Sequence, residues 1–481
     1  MARKLLAAFV FLTFGMLFIP SLLSSPVVSA QAGTGTLSFG VPVNVQNDVG
    51  NGSYPVVVNQ GNNVFITWTE SNGVYFRDYN ATTELYTPPI GSPPASIPLN
   101  SKNPSHFSFP LAAMNGTNVY VLWAQSVKFP KGDQQVFVSV SNKSGAPGTF
   151  TTINASTPFK LSKGLATISV EPAITAWGND VYVTWTGSSS TFVSSSTNDG
   201  KNWSAPVELL SIPREQQISA FGSDAYIVGD SGSNGLVLSY TTNNGGTWST
   251  APIRTKGVTF ENSGVSETWV SAYGAYVYVT WETKDTSASA CSGRISCNSS
   301  IYAAYGTLSA GKVTMHDYAI SSIGQELNST NGSFFDPQIA AYGNYAFLTY
   351  HKVGGNTVFV RVVNTTDQIW GPSINVEGPN VNTWGYDIVA GGGSAFTTFG
   401  VTHGGTTSAY IAYTQDNGGT SGSDWFTQQV SNNPSGTTAE PISNNEGSGC
   451  VTNYGSTTFL AWEQNSGPGT NYQIWFSASS I

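Results

Sequence analysis

One unit recurs eight times along this 481-residue chain, and it narrows the fold more than any other feature. Each copy is an apolar run, a glycine-containing turn, and an alternating stretch that ends on an aromatic seven residues after the glycine. The copies run from Gly61 to Trp68, Gly116 to Trp123, Gly178 to Trp185, Gly274 to Trp281, Gly343 to Tyr350 and Gly455 to Trp462. Two are degenerate: Gly222 leads to Gly229, and Gly392 to Phe399. Alternation with β-branched and aromatic residues, as in Asn118-Val119-Tyr120-Val121-Leu122-Trp123, is the pattern of a strand. The seven intervals from Gly61 to Gly455 average about 56 residues, slightly above the blade lengths of known propeller repeats.

Each unit continues into a third strand, such as Thr357 to Val362, and a fourth that opens on an aromatic, as in Trp203 to Leu209 or Trp370 to Val376. The last unit reaches a third strand at Gln473 to Ser477 and the chain stops. Its fourth strand has a candidate at the other end, Phe39 to Val45, which matches Trp203 to Leu209. The expectation is an all-β propeller of four-stranded blades over residues 31–481, closed by this N-terminal strand so that only short, protected edges remain. Eight blades are favoured; seven is the alternative if a degenerate unit is an insertion.

Only 9% of the residues are charged, against about 25% in an ordinary soluble domain. Asn, Ser, Thr and Gly supply the polar surface instead, and 12% aromatic content argues against disorder. The N-terminus carries Arg3 and Lys4, an uncharged apolar run from Leu5 to Ile19, a Pro20/Ser21 break, and small residues Val28-Ser29-Ala30 before Gln31. This is the pattern of a cleaved export signal over residues 1–30. An uncleaved anchor is the alternative, because Leu5 to Leu23 nearly spans a bilayer; no other segment does. Without Arg3 and Lys4, 16 basic groups face 27 acidic ones, a net charge of −11. With no Lys/Arg-rich run, nucleic acid is excluded as a partner. Ten Asn-x-Ser/Thr sequons, among them Asn51, Asn80, Asn115, Asn142 and Asn364, fit a secreted or surface-displayed glycoprotein.

Two of the turns between third and fourth strands read Ser196-Thr197-Asn198-Asp199-Gly200-Lys201-Asn202-Trp203 and Thr241-Thr242-Asn243-Asn244-Gly245-Gly246-Thr247-Trp248. They resemble the Asp-box (BNR) repeats of sialidase-like propellers, with Asn198 and Asn243 where Asp is usual. A third, from Thr414 through Asp416 and Gly418, keeps the Asp but reaches its aromatic late, at Trp425; Asn364 to Trp370 is a further decayed copy. In such a turn the short polar side chain bonds backbone amides, glycine takes a positive φ, and the aromatic packs between sheets. The resemblance implies the fold and not an activity, because Asp boxes are structural and lie opposite the catalytic face of that family.

Sialidases grip a substrate carboxylate with three arginines and use a Tyr nucleophile paired with Glu, beside an Asp acid/base. The first arginine sits in an Arg-Ile-Pro motif before the first box, and that motif is missing here. Beyond the signal the arginines are Arg77, Arg214, Arg254, Arg294 and Arg361. Arg77 and Arg361 fall within third strands and Arg254 in a fourth, which leaves Arg214 and Arg294 in loops as candidates for a bidentate clamp. No Gly-x-Ser-x-Gly elbow, phosphate loop or paired histidines appear; His106, His316, His351 and His403 are scattered singly.

In a propeller the end of the second strand and the start of the first share one face. Glu70, Asp230, Glu282, His351 and Glu463 sit at second-strand ends, and Glu171, Glu267, Asp336 and Asp387 at first-strand starts. These positions predict an electronegative binding mouth in which crowded carboxylates raise one another's pKa or recruit a cation such as Ca²⁺; solvated loop charge is the alternative. Cys291 and Cys297 share a long loop, and export predicts a local disulfide between them. Cys450 opens a first strand as a buried free thiol. The leading functional expectation is a binding or structural module for a glycan or a surface protein. An exo-acting glycoside hydrolase of exo-alpha-sialidase type with divergent catalytic residues is the alternative, and a lattice component a third.

Overall fold

The computed structural model describes residues 37–46, 50–71, 73–97, 105–107, 110–126, 134–154, 172–187, 190–210, 216–230, 236–253, 265–284, 299–316, 334–352, 357–376, 382–403, 406–415, 424–431, 439–440, 450–454, 457–465 and 472–480. They form eight antiparallel sheets, each a meander of four principal strands, arranged as an eight-bladed β-propeller. Both degenerate repeats are complete blades. Blade 4 comprises Gln217–Phe221, Asp224–Asp230, Leu236–Thr241 and Ser249–Pro252; blade 7 comprises Asn382–Gly391, Ser394–His403, Thr406–Thr414 and Phe426–Gln429. The seven-bladed alternative therefore falls away.

The repeat glycines explain themselves at the first hairpins of blades 1 to 7, where each has a positive φ. In blade 3, Trp177 pairs with Asp180 across the two-residue loop Gly178-Asn179, and Gly178 has φ +58°. A two-residue hairpin that follows the right-handed twist needs a positive φ at its first central position, which glycine adopts without strain. Seven residues later the aromatic is shut away: Trp68, Trp123, Trp185, Tyr350, Phe399 and Trp462 are fully buried, and Trp281 nearly so. Each faces an aromatic across the second-to-third strand ladder in blades 2, 3, 5, 6 and 7. The ring pairs are Trp123–Phe137, Trp185–Phe192, Trp281–Tyr302, Tyr350–Phe359 and Phe399–Tyr410, at centroid distances of 5.7–6.1 Å and within 19° of parallel. Such cross-strand aromatic pairs stabilise a sheet beyond the area they bury.

The core is distributed. Eight buried clusters lie one at each blade boundary, for example Leu111, Tyr120 and Leu122 of blade 2 with Ile174, Val183 and Trp185 of blade 3. The cluster that closes the ring joins Phe459, Ile474 and Phe476 of blade 8 to Val57, Ile66 and Trp68 of blade 1. Blade 8 is completed from the N-terminus: Ser38 and Phe39 pair with Ser480 and Ser479, and Val43 and Asn44 with Phe476 and Trp475. Pro42 lacks an N–H, so the ladder is interrupted there and this edge strand is two short pieces. No helix among the described residues is long and apolar enough to cross a membrane.

Candidate functional site

The mouth positions are built from an irregularity at the start of the first strands. In blades 1, 5, 6 and 7 the first two strands slip register there, between Ser53 and Val56, Ser266 and Trp269, Phe335 and Gln338, and Trp384 and Tyr386. Tyr54 and Asp336 occupy this bulge with φ of +58° and +52°, each followed by a proline. A non-glycine residue held there costs on the order of 1 kcal/mol and persists where its surroundings hold it. A bulge also turns a backbone N–H out of its ladder, and that N–H needs an acceptor.

The acceptors come from the preceding blade, on the residue that follows its buried aromatic. Glu463 Oε1 accepts the Tyr54 N–H at 2.5 Å, and Glu282 Oε2 accepts the Asp336 N–H at 3.5 Å. Blade 3 makes the corresponding reach with Thr186, whose Oγ1 accepts from Gln216 Nε2 at 2.9 Å at the start of blade 4. Asp387 does similar work one strand further in, its Oδ2 accepting the Val451 N–H of blade 8 at 3.3 Å while Oδ1 accepts the Ile388 N–H at 3.0 Å. Glu70 instead holds its own blade's aromatic, accepting from Trp68 Nε1 at 3.0 Å; Gln464 does so for Trp462. Glu282, Asp387 and Glu463 are all at most 5% exposed. These acids act as clasps between neighbouring blades, where a carboxylate gains charge-assisted hydrogen bonds from backbone amides.

Burial shows in the titration of the group. It raises the Asp387 carboxyl to about 6 against the opposing pull of the Val451, Ile388 and Cys450 amides. It lowers His351 to about 4, so this side chain is neutral at pH 7. Cys450 is a buried free thiol, its pKa raised first by burial and then by Asp387, and its sulfur lies 3.3 Å from Thr398 Oγ1. Among the described residues no three acidic, histidine or cysteine side chains converge as a metal-binding group. Glu463→Ala is expected to cost about 2 kcal/mol, the usual penalty for stranding a buried amide. Glu463→Gln keeps most of the stability, since its amide oxygen still accepts. Denaturant melts of both variants check this, and equal losses would assign the effect to charge instead.

On the opposite face the two box-like turns share one hydrogen-bond pattern. Ser196 Oγ accepts the Gly200 N–H at 2.9 Å and donates to Asn198 Oδ1 at 3.0 Å, which accepts the Asn202 N–H at 2.8 Å. Thr241 Oγ1, Gly245, Asn243 and Thr247 repeat it at 3.1, 2.9 and 2.9 Å. Trp203 Nε1 donates back to the Gly200 carbonyl at 3.0 Å, and Trp248 meets Tyr182 of blade 3 edge to face at 6.4 Å. The glycines are required: a Cβ on Gly245 would lie 2.4 Å from Ser195 Oγ, and one on Gly200 2.9 Å from Val140. A third such turn escaped the sequence reading. Ser141 Oγ accepts the Lys143 N–H and Gly145, at φ +81°, presses on Phe65 of blade 1; the signal was a hydroxyl four residues before a glycine. Thr414 is buried at the end of a third strand.

Other expected site residues lie outside the described residues: Arg214, Arg294, Glu171, Cys291, Cys297, Asp416 and Gly418. Asp230 and Glu267 are placed in strands by their backbones alone. The arginines of the third strands are committed to backbone. Arg77 donates from Nε to the Val45 carbonyl at 2.6 Å and from its terminal nitrogens to the carbonyls of Pro88, Pro89 and Ser92 at 2.5, 2.8 and 2.9 Å. Arg361 Nε donates to the Gly371 carbonyl at 2.8 Å.

No family model matches this chain, and no curated protein is significantly similar to it. Similar solved structures include the polysaccharide lyase Uly1, at 9% identity over 88% of this chain and 89% of that one, with a TM-score of 0.46. A Dyadobacter fermentans protein of unknown function is 8% identical over 92% and 99%, TM-score 0.40. The phage phi92 endosialidase is 10% identical over 82% and 71%, TM-score 0.39. At these scores none says more about this chain than its own strands do.

Proposed function

We propose that this chain is an exported propeller of the sialidase-like, Asp-box type that serves as a binding module for a glycan or a surface protein. Residues 1–30 are its signal peptide and residues 31–481 its single propeller domain. The observation that carries this reading is the use of the mouth-face acids. Glu282, Glu463 and Asp387 spend their carboxylates on backbone amides of the next blade, a structural assignment that suits a rigid scaffold better than general acid–base chemistry, which needs a carboxyl within reach of substrate. Arg77 and Arg361 likewise serve backbone carbonyls.

The second reading, an exo-acting glycoside hydrolase, draws on the paired box-like turns of blades 3 and 4 and on Arg214 and Arg294 as its clamp. A panel of fluorogenic glycosides, the α-sialoside included, separates the two. The expected result is no release above the blank. Release that disappears in Arg214→Ala or Arg294→Ala would establish the hydrolase instead.

A further inference from the structure

The residue before the turn glycine carries an aromatic ring in four successive blades: Trp177, Phe221, Tyr273 and Tyr342. These rings touch in series around the turn face, with centroids 4.4, 4.8 and 4.9 Å apart and each ring tilted by 41–50° to the next. Trp177 is 42% exposed and Tyr342 36% exposed, so both ends of the arc meet solvent. In blade 7 the next position of the series is Gly391. A Cβ there would lie 2.9 Å from Asn453 Nδ2 and displace the amide that donates to the Gly391 carbonyl. The series therefore stops at Tyr342. A cavity of about 280 Å³ lies beside that ring, between the blade 6 and blade 7 turns, lined by Tyr342, Tyr345 and Phe347 together with Asn344 and Ser394.

We propose that this slot binds one ring of a neutral saccharide, seated on Tyr342 where the fifth aromatic of the series is missing, with the arc towards Trp177 supporting the adjoining sugars. The chemistry of the lining selects the occupant. A pyranose presents a C–H face to an aromatic ring and hydroxyls at its rim, and here rings meet the amide of Asn344 and the hydroxyl of Ser394. The cavity is near the lower limit of small-ligand sites. Asp224, the part-exposed hairpin partner of Phe221, adds negative charge beside the arc and disfavours an anionic ligand. A protein surface fits less well. Four part-exposed rings offer about 300 Å² between them, and a stable interface takes about 800 Å² per partner. The inference rests on the reading of the chain as a glycan-binding propeller and puts the contact on the turn face, away from the acid-bearing mouth.

The test uses the full chain and hexasaccharides of glucose, xylose, mannose and N-acetylglucosamine, in calorimetric titration. At least one is expected to bind. Tyr342→Ala should weaken it tenfold or more and Trp177→Ala several-fold, both with unchanged melting temperature, while Tyr342→Phe retains the affinity. A saccharide that binds the two alanine variants as tightly as wild type overturns the slot and leaves the glycan-binding reading standing. Binding of N-acetyl-tryptophanamide with no hexasaccharide bound assigns the slot to a protein side chain and overturns it as well. No binding by any of the probes also overturns it; the binding-module reading is then judged separately, by labelled chain on cell surfaces.

Discussion

Arg77→Met is expected to open the ring. Arg77 is fully buried and ties two distant pieces of chain together, the N-terminal strand through the Val45 carbonyl and the loop between the short outer strands Leu85–Thr87 and Ala95–Ser96 of blade 1 through Pro88, Pro89 and Ser92. Methionine fills much of the volume but donates nothing, so four carbonyls lose a charged donor. At about 1–3 kcal/mol for each stranded buried group, partly relieved by water, a loss of about 4 kcal/mol follows. The N-terminal strand gives way first, because beyond this bond it is held by the short ladder to Gln473–Ser480 and by little more than Leu37 and Val45 at its two ends, each buried in a neighbouring cluster. Hydrogen exchange should therefore show residues 38–45 unprotected in the variant while blades 3 to 6 keep their protection. Arg77→Lys should fall close to Arg77→Met, since an ammonium cannot spread its donors as a planar fork does. A variant that melts like wild type with residues 38–45 still protected would remove Arg77 as the latch.

The second large effect is a stability that falls as pH rises. Asp78 lies on the third strand of blade 1, paired across the ladder with Phe65, under the turn glycine of blade 2. A Cβ on Gly145 would stand 2.6 Å from Asp78 Oδ1, and that oxygen is shut from solvent without a hydrogen bond. Burial alone raises its pKa from 3.8 to about 8. The sign follows from which state holds the proton. Below about pH 4 both folded and unfolded chains are protonated and the carboxyl costs nothing. Between about 4 and 8 only the folded chain keeps its proton, and each pH unit costs up to about 1.4 kcal/mol. Above that range both are ionised and the penalty is constant. Asp78→Asn removes the ionisation, so it should be more stable than wild type by up to about 5 kcal/mol at pH 8 and equal to it near pH 4. Denaturant melts across that range test this; parallel curves for the two proteins would show that Asp78 ionises freely.

The two predictions differ in how visible their residues were beforehand. Asp78 and Arg77 are neighbours in one alternating strand, and alternation alone sends them to opposite faces. Nothing in that strand says that one face meets the latch and the other the blade 2 turn. The mouth acids make the same point. Glu282, Glu463 and Asp387 were recognisable as a set at blade ends from their distance to the repeat glycine. Their use was not, because Glu463 and Tyr54 are 409 residues apart and Glu282 and Asp336 54. A charge concentrated on one face reads as a mouth until the acceptors for turned-out amides are known. The aromatic arc was hidden for a similar reason. Trp177, Phe221, Tyr273 and Tyr342 each look like the last residue of an ordinary strand, and only the ring arrangement brings them into contact.

The sequence by itself determined the blade and the strand that closes the ring, and it favoured eight blades over seven. All three depend on signals within a few residues: glycine at a positive-φ turn, side-chain alternation with period two, and an aromatic at a constant distance. The tertiary structure alone decided which polar groups are sealed between blades and which surface stays open. Those outcomes depend on curvature, which places residues about 50 or more positions apart in contact and removes water from between them. A carboxylate at a blade end becomes a clasp, and a glycine in a turn becomes the end of a ring series, only once the neighbouring blade is there.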